Sequence, residues 1–292
     1  MKGVLVLGAL HHDVVVDAPA LPREDETLKG TGVDYRFGGK GGNQSVAAAR
    51  MGARVQMVGR IGRDAAGQEM LKALALEGVD HAMVTSGQAA SGMSVAITLP
   101  DGNYGAVIVS GANLENDGVV PADDPRVVLI QNEIPAAANR DLAASLGPDD
   151  LLIWNAAPAA GMNPALAKRC DLLVVNRVEA EDMSGTDDPD RAARMLFEAI
   201  RGDVVVTLGG AGAVLCTAKG ITRFDALAVQ VVSTHGAGDM FTGSLAARLA
   251  QGEPLEQALR FAMTAAGLFV AAPVSARGQI TPAQVHAYQA KG

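Results

Sequence analysis

The sequence predicts an α/β fold: a central, mostly parallel sheet flanked by helices, with a small separate β-sheet. Three observations predict it. From Arg126 onward, short β-branched runs alternate with stretches of helical periodicity, the rhythm of parallel strands covered on both faces. Glycine-rich turns at 38–42, 209–212 and 236–238 stand at predicted strand ends or helix starts, where open α/β sheets hold ligands. Residues 93–99 instead alternate strictly, turn at Asp101-Gly102 and return at 106–109, the pattern of a hairpin with one face to solvent.

In chain order, residues 4–7 are an apolar run ending in Gly8, a buried strand, and 13–17 enclose three valines in a second that Pro19 and Pro22 stop. After a polar stretch at 23–35, Phe37-Gly38-Gly39-Lys40-Gly41-Gly42-Asn43-Gln44 opens a helix at 45–51. Four glycines in five residues lose more chain entropy than a surface turn demands, so a ligand is expected to approach closely there. Ala47, Ala48 and Ala49 keep the helix slim, and a strand at 54–58 and an amphipathic helix at 64–76 follow. The hairpin joins strand 13–17, so segments of about 11–37 and 91–113 form a lid on a single domain spanning 1–292. Strands at 127–130, 151–154, 172–175, 204–208 and 213–216, with a helix at 191–200, complete the large sheet. Residues 229–232 read as one more strand, leading through Gly236 and Gly238 into a helix carrying Met240, Phe241, Leu245 and Leu249 and ended by Gly252 and Pro254. A last long helix covers 255–271.

Composition narrows the function. Of 292 residues 49% are hydrophobic and 19% charged, a folding chain and not a disordered one. A net charge of −8 and a pI near 5.1 speak against a nucleic-acid surface, so any phosphate site must be local. No apolar run approaches the ~20 residues that cross a bilayer, and Met1 leads straight into a strand without a signal-peptide core. The expectation is a cytoplasmic protein without membrane or nucleic-acid partners. Cys170 and Cys216 lack metal-ligand spacing and read as reduced, structural residues.

The turn at 236–238 carries the chemistry. Amides at a helix start lack intrahelical partners and point one way with the positive end of the helix dipole behind them, which makes an anion site. Asp239 in the first turn would repel a phosphate unless it accepts a proton. Both the base and the charge-holding donors of phosphoryl transfer then lie within four residues; the alternative is an ordinary first-turn acid in a β–α turn. At 176–179, Asn176 and Glu179 follow a strand directly, either as a capping box or with Glu179 orienting waters on Mg²⁺. Thr207 and the turn 209–212 either border a nucleotide or merely link two strands. Neither a P-loop motif nor a G-x-G-x-x-G turn after a strand is present.

Residues 37–44, 176–179 and 234–243 together resemble, in order and separation, the motifs of the ribokinase-like (PfkB) carbohydrate kinase family, and Phe-Gly-Gly-Lys-Gly-Gly-Asn-Gln looks most like its ribokinase branch. The resemblance runs from Val4 to about Pro282 and implies a large α/β domain with a small β-sheet lid. It implies Asp239 as catalytic base, with the amides of Gly236, Ala237 and Gly238 as anion hole. Asn176, Thr207, Gly209, Gly212 and Met263 would border ATP, Glu179 would orient waters on Mg²⁺, and Asp13, Gly39, Lys40, Asn43 and Glu133 would bind sugar hydroxyls.

Departures from the pattern are informative. His11 stands where the ribokinase branch usually has asparagine, which bears on the choice of sugar. Ser233-Thr234 replaces an Asp-Thr pair whose aspartate serves a monovalent-cation site in many relatives, so a neutral Ser233 weakens K⁺ binding. His235 replaces a small or apolar residue and reads as a partly buried histidine satisfied by a carbonyl, or else as a donor near the γ-phosphate. The expected function is ATP-dependent transfer of the γ-phosphate to a primary hydroxyl of a small sugar. A nucleoside or sugar acid is the alternative acceptor, although only 3% of residues are aromatic and few could stack a base. A non-catalytic sensor on the same fold would have eroded Asp239 or the glycines, which are intact. A homodimer through the lid, whose strand edges need covering, is compatible with the sequence.

Overall fold

The computed structural model describes residues 2–100, 103–120, 126–200 and 202–290. The chain begins with β1 (Gly3–Leu7), β2 (His11–Asp17), β3 (Gly32–Gly38), α1 (Lys40–Arg50), β4 (Val55–Ile61), α2 (Ala65–Leu76) and β5 (Asp80–Ser86). The hairpin β6 (Met93–Thr98) and β7 (Tyr104–Val109) follows, its Asp101-Gly102 turn lying outside the described residues. Then come β8 (Arg126–Gln131), α3 (Ala136–Ser145), β9 (Leu151–Asn155), α4 (Pro164–Arg169), β10 (Leu172–Asn176), α5 (Arg177–Ser184), α6 (Pro189–Ile200) and β11 (Asp203–Thr207). The edge hairpin β12 (Ala213–Thr217) and β13 (Gly220–Phe224) precedes α7 (Ala237–Ala250), α8 (Leu255–Ala271) and α9 (Pro282–Gln289).

The large sheet runs β13-β12-β11-β10-β9-β8-β1-β4-β5, parallel from β11 to β5 and antiparallel at β12 and β13. Period-2 alternation sends Val4 and Val6 into a core with α1, α7 and α8, while Leu5 and Leu7 join Trp154 and α3 on the opposite face. The small sheet, β3-β2-β6-β7, forms the lid. Strand β3 carries no clear signal because its alternation, Val-Asp-Tyr-Arg, lies exposed on both faces; the sequence signals β5 and β13 no better.

Two expectations need correction. Residues 229–232 form no strand. The segment runs as coil past the end of α8, where the Val232 and Ser233 amides donate to the Val270 carbonyl at 2.8 and 3.3 Å and pair with no strand. The second concerns the glycines at 38–42. Helix α1 starts at Lys40, so Gly41 and Gly42 are helical, and a Cβ on Gly41 would sit 2.7 Å from Gly8, while one on Gly42 would meet the Phe37 ring at 2.6 Å. Close packing against the Gly8 backbone and the Phe37 ring is enough to demand those two glycines.

Candidate active site

Helix α7 is buried on nearly every side, with Met240, Phe241, Leu245 and Ala246 in the core. Its approach to α1 is close because Gly243 lacks a Cβ, which would lie 2.6 Å from the Ala47 methyl. The slim alanine face read from the sequence therefore brings Asn43 and Gln44 up to the first turn of α7. Gly236 caps α7 in the left-handed region, at φ 79°, a conformation that glycine adopts without strain. The Ala237 amide closes the turn onto the Thr234 carbonyl at 3.1 Å. Of the three expected anion-hole donors, the Gly236 and Gly238 amides have no protein acceptor among the described bonds, and the Asp239 amide joins them.

Asp239 itself is held by amide donors on both oxygens. Asn43 Nδ2 donates to Oδ2 at 3.1 Å and Gln44 Nε2 to Oδ1 at 3.0 Å. The orientation of the Gln44 amide is fixed from behind: Gln131 Nε2 donates to Gln44 Oε1 at 2.7 Å, and Gln44 Nε2 also donates to Asn155 Oδ1 at 2.9 Å. Asn155 is anchored in turn by donating to the Val174 carbonyl at 3.0 Å. Burial raises the Asp239 carboxyl above the ordinary range, opposed by the Lys40 charge and by the bonds from Gln44 and Asn43. A carboxylate so held is a poised proton acceptor.

Two cavities meet at this turn. The larger, about 540 Å³, is lined by Asn176, Thr207, Gly209, Gly212 and Met263 together with Ala237 and Gly238. Every residue expected to border ATP stands in its wall. Val229 and Val231, the residues misread as a strand, supply apolar wall there. The second cavity, about 410 Å³, is lined by Asp13 and Asn43 as expected, and by Gly236, Asp239, His235, Arg36, Arg50 and Arg277. Asp13 accepts from the Ser94 hydroxyl at 2.5 Å.

The other expected sugar groups lie deeper. Glu133 is not a solvated loop acid: its Oε2 accepts the Lys40 amide at 2.7 Å, and burial raises its carboxyl. Lys40 is half-buried, and its charge acts on Asp239, Glu133 and Glu179. Gly39 caps α1 at φ 83°, where a Cβ would lie 2.6 Å from the Ala9 carbonyl. His11 is buried, with Nε2 lacking a protein partner. His235, expected to be partly buried, is exposed, and it is its backbone carbonyl that is engaged.

Asn176 and Glu179 do form the capping box: Asn176 Oδ1 accepts the Glu179 amide at 2.9 Å and Glu179 Oε2 accepts the Asn176 amide at 2.8 Å. This leaves Glu179 Oε1 without a donor among the described bonds, on a carboxylate raised by burial and lowered by the bond from Asn176 and by Lys40. Among the described residues no three acidic, His or Cys side chains gather into a metal cage. One carboxylate beside the larger cavity suits Mg²⁺, which keeps its waters and takes few protein ligands. Cys170 and Cys216 are free and buried, and burial pushes the Cys170 thiol up to about 12.

The sequence profile described as pfkB family carbohydrate kinase matches residues 1–279. The chain belongs to the pfkB family of carbohydrate kinases. It is 32% identical over 284 residues to a ribokinase of Haemophilus influenzae, covering 92% of each chain, and 32% identical over 280 residues to a ribokinase of Bacillus subtilis, covering 92% of this chain and 93% of the relative. Its fold is similar to that of Arabidopsis thaliana ribokinase complexed with ribose and ATP, with a TM-score of 0.90, 28% identity and 98% of both chains covered. As a pfkB kinase it is a phosphotransferase with an alcohol group as acceptor, and ATP is its co-substrate.

Sequence reading missed Gln44's hold on Asp239, and with it Gln131, Asn155 and Arg277. A signal existed for two of them: β8 and β9 are apolar runs that each end in an amide, Gln131 and Asn155, at the carboxyl edge of the sheet. Among the described residues no helix is long and apolar enough to cross a membrane.

Proposed function

We propose that this pfkB kinase phosphorylates the primary hydroxyl of ribose or a closely similar small sugar in the cytoplasm. The carrying observation is the meeting of the two cavities at the start of α7, with Gly238 in the wall of one, and Gly236 and Asp239 in the wall of the other. A hydroxyl in the smaller cavity would then face a γ-phosphate in the larger across the start of α7. Asp13 and Asn43 bind sugar hydroxyls, with Gly39, Lys40 and Glu133 behind them. Asp239 accepts the hydroxyl proton, and the amides of Gly236 and Gly238, with Ala237 shaping the turn, hold charge developing on the transferred group. Asn176, Thr207, Gly209, Gly212 and Met263 hold ATP. Mg²⁺ held through water by Glu179 supplies charge neutralisation at the phosphates. The lid excludes water that would otherwise take the phosphate.

ADP release from Mg-ATP against ribose, deoxyribose, other pentoses, hexoses, nucleosides and sugar acids tests the assignment. Turnover on ribose supports it; selective turnover on another acceptor assigns His11 to altered specificity. A sugar acid is the second reading, because Arg36 and His235 share a cavity wall with Asp13 and suit an anionic end of the acceptor. Saturable ATP binding without turnover on any acceptor would favour a sensor.

The lid also suits a second copy of the chain. Strand register puts Val33, Tyr35, Val95, Val107 and Val109 on one sheet face, opposite to Asp13 and Ser94, and all five are exposed. An apolar face of this kind needs cover.

A further inference from the structure

Arg277 is a cation buried without an anion. It is 7% exposed, and among the described ion pairs none includes it. Its partners are backbone carbonyls from two segments: Nη2 donates to Ser233 at 2.6 Å, Nη1 to His235 at 3.0 Å and Nε to Ala272 at 3.4 Å. The guanidinium stacks 4.6 Å from the Phe269 ring centroid. Ala272 caps the 17-residue helix α8, so the negative end of a helix dipole faces the guanidinium. The surroundings of Arg277 therefore suit a fixed cation.

The two carbonyls of the loop carry the consequence. In a trans peptide the C=O and the following N–H lie in one plane and point opposite ways. The His235 carbonyl belongs to the same peptide as the Gly236 amide, and the Ser233 carbonyl to that of Thr234. A guanidinium fork gripping both carbonyls turns these amides away from itself. It also polarises each peptide, strengthening the amide as a donor. A second cation is disfavoured here: the Arg277 guanidinium already sits against the Ser233 and His235 carbonyls, and a neutral Ser233 brings no charge to offset another cation.

We infer that Arg277 is a positioning residue of the anion hole, doing with a guanidinium what a bound monovalent cation does in relatives with an acidic residue at the Ser233 position. The inference rests on the kinase assignment. The test begins with the wild-type protein, its turnover compared in potassium, sodium and tetramethylammonium chloride. Equal rates are expected, with no potassium-specific rise in Tm. In folded Arg277→Met, kcat should fall about 10- to 100-fold, the worth of a misaligned anion-hole donor, with little change in acceptor KM. Millimolar guanidinium, far below denaturing levels, should restore part of it. Arg277→Lys, which keeps the charge and loses the fork, should recover less than half of the loss, and it carries the test if Arg277→Met does not fold. Wild-type turnover that demands potassium overturns the inference while leaving the kinase intact, as does a folded Arg277→Met or Arg277→Lys variant with wild-type kcat. Inactivity on every acceptor in all three salts overturns the kinase assignment, and the inference with it.

Discussion

Asp239 works because other side chains hold it. Its carboxylate is desolvated enough to bind a proton above the ordinary aspartate range and is kept ionisable by Lys40, Gln44 and Asn43. Under the proposed mechanism, replacing it by asparagine removes the base, and steady-state kinetics of a folded Asp239→Asn protein should show turnover lowered about 100-fold or more. Because the base must be ionised, kcat/KM should decline on the acid side at a pH above that of a free aspartate. Gln44→Leu deletes a hydrogen bond to the ionised form, so the Asp239 pKa rises further and the acid limb of the pH–rate profile should move to higher pH. Turnover should drop on the order of 10- to 100-fold, the worth of a hydrogen bond to a charged group. A profile left in place by Gln44→Leu would count against its role in holding the base.

At the scale of the element, the two glycines of the α7 turn do different work. Gly236 sits at φ 79°, with the Phe269 ring 3.4 Å from where a Cβ would be, whereas a Cβ on Gly238 meets nothing within 4 Å. Gly236→Ala therefore strains the backbone by about 1 kcal/mol or more and tilts the anion hole. Gly238→Ala costs the free protein little and fills space where phosphate belongs. Denaturant melts should separate them: a lowered midpoint for Gly236→Ala, an unchanged one for Gly238→Ala, with ATP affinity reduced in both. At α1 the expectation from sequence was only partly met. The alanine run was read correctly as a close-packing face, but Gly41 and Gly42 serve contacts with Gly8 and Phe37, neighbours that only the folded chain supplies.

For the whole molecule, the lid turns one face to the smaller cavity and the other to solvent. Asp13 and Arg36 are paired across β2 and β3 and line the smaller cavity, while Val107 lies exposed on the other face at 66%. If that face joins two copies, Val107→Asp should convert a dimer to a monomer in light scattering after gel filtration while leaving the melting of each subunit nearly unchanged. A monomeric wild type would remove the lid dimer from consideration.

What the sequence determined by itself was local: strand and helix periods, glycine turns at helix starts, and the placement of Asp239 beside free amides, because each depends on residues a few positions apart. The capping box at Asn176 and Glu179 belongs here too, its three-residue spacing being enough to define it. Tertiary structure alone decided which distant groups converge. Gln44 and Asp239 are 195 residues apart, and Arg277 reaches back 44 residues to the Ser233 carbonyl. It also denied 229–232 a strand, since the Val232 and Ser233 amides are satisfied by the Val270 carbonyl at the end of α8 and not by a sheet neighbour. A buried amide or guanidinium takes its meaning from the partners that satisfy it, and those partners are brought together only by the packing of α1, α7 and α8 over one end of the sheet.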